Sequence, residues 1–77
     1  IALGGTGVIS VISNLFPREY VQVCALALKG DFVAAREVNL KLAPLYKALF
    51  METNPIPAKQ AMNWLGLAAG KPRLPLV

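Results

Sequence analysis

The sequence predicts a mainly helical chain drawn from a larger α/β protein, with one strand over residues 8–13 and helices over 17–29, 31–52 and 57–69. Three observations predict it. Val8-Ile9-Ser10-Val11-Ile12-Ser13 is a β-branched run too uniformly apolar for a surface strand, as expected of a strand covered on both faces of a parallel sheet. Apolar residues then recur three times at helical spacing, each time defining one face to be buried. Finally, 56% of the residues are apolar, against roughly 45–50% in a whole soluble domain. A chain this short buries only about 60% of the surface its unfolded form exposes. We therefore expect a piece of a larger core, and neither the opening Ile1 nor the closing Leu-Pro-Leu-Val reads as a natural terminus.

Taken in order, Leu3-Gly4-Gly5-Thr6-Gly7 reads as a tight turn into the strand, since glycine accepts the backbone angles such turns need. The glycines precede the strand and no Gly-Lys-Ser/Thr follows to open a helix, which argues against a phosphate-binding loop. Pro17 suits the first turn of a helix and Gly30 the residue beyond its end, as the proton-free proline nitrogen and the left-handed glycine backbone favour. Tyr20, Cys24, Ala27 and Leu28 give that helix one buried face,.

Asp31 is an expected N-cap for a longer helix whose stripe is Phe32, Ala35, Val38, Leu42, Leu45 and Leu49,. Pro44 lies inside it and removes one bond to a carbonyl four residues earlier, so a bend is expected near Leu40–Pro44. Thr53-Asn54-Pro55-Ile56-Pro57 breaks the pattern and launches the third helix,. Ala58, Ala61, Met62 and Leu65 share its buried face, Gly70 is expected to end it, and residues 71–77 should be extended,. The lone strand has no partner strand in this chain, and a parallel strand needs one.

Charge excludes more than it identifies. The formal net charge is +4, yet the eight basic residues stand singly, with no basic run and no interleaved exposed aromatics, which argues against nucleic acid as a partner. No apolar run reaches the ~18 residues needed to span a bilayer, and no secretory signal is visible, so a cytoplasmic protein without a membrane partner is the expectation. Cys24 is the one cysteine and there is no histidine, leaving no metal site to nominate. Cys24 itself is expected to be a buried thiol.

Three ordered motifs then point to a family. Gly7-Val8-Ile9-Ser10-Val11 with Asn14, Asn54-Pro55-Ile56-Pro57 with Lys59 and Leu65-Gly66, and Arg73-Leu74-Pro75-Leu76 together resemble the C-terminal region of the dihydrodipicolinate synthase family. The likeness covers nearly the whole chain. It implies a (β/α)₈ barrel with a helical extension, in which residues 1–30 are the last strand and helix of the barrel and residues 31–77 an incomplete extension. It also implies a lyase of lysine and diaminopimelate biosynthesis that condenses pyruvate with aspartate semialdehyde through a lysine Schiff base. The lysine of the sixth strand, and the tyrosine and threonine that assist it, have no counterpart here. No catalytic residue is therefore assigned to this chain, no cofactor is implied, and the chain alone should be inactive.

What carries over is modest. Ile9 matches the isoleucine lining the pyruvate pocket, and Ser10 and Val11 lie where related enzymes choose the second substrate. Plain barrel packing is the alternative for Ile9 and Val11. Related sialic acid lyases carry a hydroxyl at about the position of Val11, so an apolar residue argues for the smaller aldehyde. Leu3 matches a position at the contact between dimers in tetrameric members, with local packing of a loop leucine as the alternative. Asn54 is expected near the pocket mouth or as the cap of the third helix. The lysines of this chain are expected at helix ends or on polar faces.

Two departures bear on specificity: Ile12-Ser13 stands where members commonly have Thr-Ala, and Leu15-Phe16 replaces a smaller pair, so the pocket rim could be reshaped. A homo-oligomer, dimeric or tetrameric, is implied. The competing readings are a sister pyruvate aldolase acting on sialic acid or keto-deoxy sugars, and a non-catalytic helical module that self-associates through its unpaired strand.

Overall fold

The computed structural model describes residues 1–76. A 3₁₀ turn over Ile12–Asn14 precedes three helices, α1 (Pro17–Leu28), α2 (Phe32–Leu49) and α3 (Ile56–Trp64). The expected strand does not form: residues 5–10 have no regular secondary structure, and the described residues contain no strand. Two physical reasons account for it. No second strand exists among the described residues to complete a ladder,. The end of the run also finds bonds close at hand, because Ser13 Oγ donates to the Ser10 carbonyl at 2.7 Å and Asn14 Nδ2 to the Val11 carbonyl at 3.0 Å. Such local side-chain bonds compete with ladder formation. Val11 is already helical, at φ −69 and ψ −43. Val8 and Ile9, expected to be covered on both faces, are 55% and 104% exposed.

The first helix follows its sequence. Pro17 occupies its first turn and Glu19 sits there with it, the favourable end of the helix dipole for an acid. Gly30, at φ +85, closes it: the Gly30 amide donates to the Ala27 carbonyl and the Asp31 amide to the Leu26 carbonyl, a pairing that only a left-handed residue past the end allows. Asp31 then caps α2, its carboxylate accepting from the Ala34 amide at 3.1 Å,. Pro44 is accommodated within α2, on the exposed side, where the carbonyl it leaves unpaired can meet water. The helix stops at Leu49, three residues short of the expected Glu52, because Asn54, preceding Pro55, cannot continue a helix and the chain loosens ahead of it.

The third helix ends at Trp64 rather than at Ala69. Gly66, at φ +83, takes the terminating role expected of Gly70: its amide donates to the Asn63 carbonyl and that of Leu67 to the Met62 carbonyl. The segment after it carries a turn at Leu74-Pro75, with the Leu76 amide donating to the Arg73 carbonyl at 3.1 Å, so the expected extended tail is interrupted. The last residue of that expectation, Val77, lies outside the described residues.

The core is small. Ile12, Leu42, Leu49 and Ala58 form its buried cluster, with Leu15, Phe16, Tyr20 and Leu45 packed around it. Ala35, Leu42 and Leu49 confirm the stripe expected for α2, while Phe32 at its start is 48% exposed. On α1, Tyr20, Cys24 and Ala27 are half-buried, but Leu28 is 56% exposed. Tyr20 and Tyr46 join α1 to α2 edge to face, with ring centroids 6.3 Å apart at 88°, a favoured aromatic geometry.

Candidate functional site

A cavity of about 460 Å³ opens between the segment before the 3₁₀ turn and α3. Ile9, Ser10 and Val11 line it from the first segment, and Asn54, Lys59 and Ala69 from α3 and the chain on either side of it. The 3₁₀ turn positions the first segment, since burying Ile12 to 2% exposure fixes the chain immediately after Val11. Ile9 projects fully into solvent, whereas Ser10 and Val11 are half-buried. Ala58, 5% exposed, seats α3 on the core and carries Lys59 to the cavity.

Of the residues singled out in the sequence, the structure brings Ile9, Ser10, Val11 and Asn54 to this one cavity. Asn54 does not cap α3: the N-cap is Pro55, with no side-chain cap bond. Leu3 is 103% exposed, so local packing does not account for it. It stands apart from the cavity.

Neither departure lines the cavity, although the Ser13 hydroxyl bonds the carbonyl of Ser10, which does. Ile12 is at the centre of the core, and Leu15 and Phe16 line an apolar groove between α2 and α3 that also receives Leu45 and Trp64.

Sequence reasoning missed two residues. Lys59 is half-buried, not on a polar face, and its Nζ donates to the Ala69 carbonyl at 3.0 Å. Asn63, one turn further along α3, holds the same segment: Nδ2 donates to the Gly70 carbonyl at 2.9 Å and Oδ1 accepts from the Ala69 amide at 3.2 Å. The signal was the spacing of four between them followed by Gly66, which turns the chain back along the helix face they share. Away from the cavity, Tyr46 donates to Asn39 Oδ1. Burial, together with the nearby Tyr20 and Cys24, pushes its phenol above the ordinary value of 10.0.

The model of the dihydrodipicolinate synthetase family matches residues 1–77, and the chain belongs to that family. Among its relatives, the 4-hydroxy-tetrahydrodipicolinate synthase of Methanocaldococcus jannaschii is 59% identical over 76 residues, and that of Methanococcus vannielii 57% over 75. These alignments cover 99% and 97% of this chain. A crystal structure of a dihydrodipicolinate synthase superposes with a TM-score of 0.94 at 59% identity, covering 97% of this chain. The synthase of Thermotoga maritima superposes at 0.90 with 52% identity over 99% of it. The chain spans about a quarter of the relatives it matches, 26% of each of the four.

Proposed function

We propose that these residues form the last strand position, the last barrel helix and the beginning of the helical extension of a (β/α)₈-barrel lyase. Residues 1–30 supply the barrel part and residues 31–77 the extension. The lyase condenses pyruvate with aspartate semialdehyde on a lysine Schiff base, as a step toward lysine and diaminopimelate. In that chemistry the lysine amine adds to the pyruvate ketone and water leaves. Loss of a methyl proton then gives an enamine, which attacks the aldehyde carbon. The lysine belongs to a strand that this chain does not contain, so the chain alone is inactive. We assign to it a cytoplasmic location and a homo-oligomeric parent, with Leu3 at a subunit contact.

The observation that carries this reading is the placement of Ile9 to Val11. They line a cavity with Asn54, and Ile9 is wholly uncovered, as suits a strand end whose neighbours come from the rest of a barrel. Catalytic groups of such barrels sit at the C-terminal ends of the strands. Ile9 is the apolar wall beside bound pyruvate, keeping water from the imine. Ser10 and Val11 face the second substrate, and the apolar Val11 favours the small aldehyde over a polyhydroxylated sugar acid.

Borohydride reduction in the presence of pyruvate tests it. A full-length protein carrying this sequence gains one reduced pyruvyl adduct by intact mass, and the 77-residue chain gains none. Absence of an adduct on the full-length protein refutes the Schiff-base assignment.

A further inference from the structure

We infer that Lys59 and Asn63 are positioning residues that hold the Ala69 segment as one wall of the second-substrate space. The inference rests on the proposed reading of the cavity. Beyond Trp64 the chain turns at Gly66, at φ +83, and comes back along α3. Three hydrogen bonds then bracket two consecutive residues: Lys59 Nζ to the Ala69 carbonyl at 3.0 Å, the Ala69 amide to Asn63 Oδ1 at 3.2 Å, and Asn63 Nδ2 to the Gly70 carbonyl at 2.9 Å.

Residues 67–70 belong to no helix or strand, and besides the Leu67 amide bond to the Met62 carbonyl at 2.9 Å and the Ala69 amide bond to the Leu67 carbonyl at 2.8 Å it is these side-chain bonds that tie Ala69 and Gly70 to α3. Yet Ala69 lines the same cavity as Val11 and is half-buried. The width between Val11 and Ala69 is therefore set by side chains of α3, a helix itself anchored to the core through Ala58. The Lys59 bond is the charge-assisted one and the strongest single restraint of the three. Because the bracket belongs to α3 and the chain after it, whereas Ile9 belongs to the segment before the 3₁₀ turn, disturbing it should alter aldehyde binding and spare imine formation with pyruvate.

The test uses a full-length protein carrying this sequence. Lys59→Met should raise the KM for aspartate semialdehyde by roughly twofold to tenfold, the net effect of losing one intramolecular hydrogen bond. The pyruvate KM and the yield of borohydride-trapped adduct should stay unchanged. Asn63→Ala should act in the same direction, and Lys59→Arg, which keeps a cationic donor, should restore most of the loss. Deuterium uptake by peptides covering residues 66–71 should rise in Lys59→Met and Asn63→Ala, a readout independent of activity.

Unchanged uptake in both variants overturns the bracket. Raised uptake with an unchanged aldehyde KM, or a parallel fall of every kinetic parameter, overturns the positioning role. Failure of the unsubstituted protein to trap pyruvate instead defeats the reading of the cavity, while the uptake measurement still reports on the bracket.

Discussion

At the residue scale, burial separates side chains that look alike in sequence. Leu40 and Leu42 stand two positions apart on α2, the first 62% exposed and the second 5%. Leu42→Ala should cost about 2–5 kcal/mol, the range for emptying a packed leucine site. Leu40→Ala should stay within about 0.5 kcal/mol wherever that leucine faces solvent. Urea unfolding of the two variants in a full-length protein distinguishes them. Equal losses would mean that Leu40 is covered by parts of the protein beyond this chain. Tyr46 makes a second prediction. Burial and the neighbouring Tyr20 and Cys24 raise its pKa, and its hydroxyl donates to Asn39, so the fold favours the protonated phenol. Above the unfolded value the native state holds the proton more tightly, and stability falls as pH rises through the folded value. Tyr46→Phe should flatten that alkaline loss. Phenolate absorbance should show one fewer late-titrating tyrosine in the variant.

At the scale of elements, helix ends decide the geometry of the cavity, and the end of α3 is the instructive one. A Cβ at Gly66 would meet nothing within 4 Å, but its φ is +83. Gly66→Ala should therefore cost about 1–2 kcal/mol of backbone strain with no clash, and Gly66→Asn less, since asparagine tolerates this region. Thermal unfolding of the two variants measures the difference, and equal midpoints would show the turn to be unstrained. The same glycine marks how far the sequence could be read. Pro17, Gly30 and Asp31 delimit α1 and start α2 as expected, because proline, glycine and an N-cap acid act through local backbone chemistry. The end of α3 comes earlier than the pattern predicts: Leu67, Ala68 and Ala69 keep a helix-compatible pattern past Gly66, and a single interior glycine is only a weak breaker. The strand failed for a nonlocal reason, since ladders need a partner. For the site, the motifs named Ile9, Ser10, Val11 and Asn54, which meet at one cavity. Lys59 and Asn63 are not legible in the sequence, because their partners are main-chain groups of Ala69 and Gly70, where the pattern reads as the end of a helix.

At the scale of the whole molecule, the surface is too large for a chain of this mass. It exposes 5834 Å², whereas a folded monomer of 8.2 kDa should expose about 4,500 Å². Its radius of gyration is 14.0 Å, against about 11–12 Å for a compact chain of this length. The excess of about 1,300 Å² exceeds the ~800 Å² that each partner contributes to a stable protein interface. Its chemistry is apolar: Leu3 and Ile9 are fully exposed, and Trp64 and Met51 are 79% and 78% exposed. Such a surface has two ways to be covered, by the rest of a barrel or by other copies of itself. We therefore expect the isolated 77-residue chain to self-associate, its sedimentation coefficient rising with concentration and its surface binding an apolar dye. Co-expression with the remaining three quarters of a related synthase should suppress both, because the barrel would bury the Ile9 face before a second copy could. A monomer at every concentration, with no dye bound, would mean that the small core around Ile12 and Leu42 is sufficient and that the exposed apolar side chains need no cover. Self-association that persists beside the complementary barrel would instead favour the helical module over the lyase part.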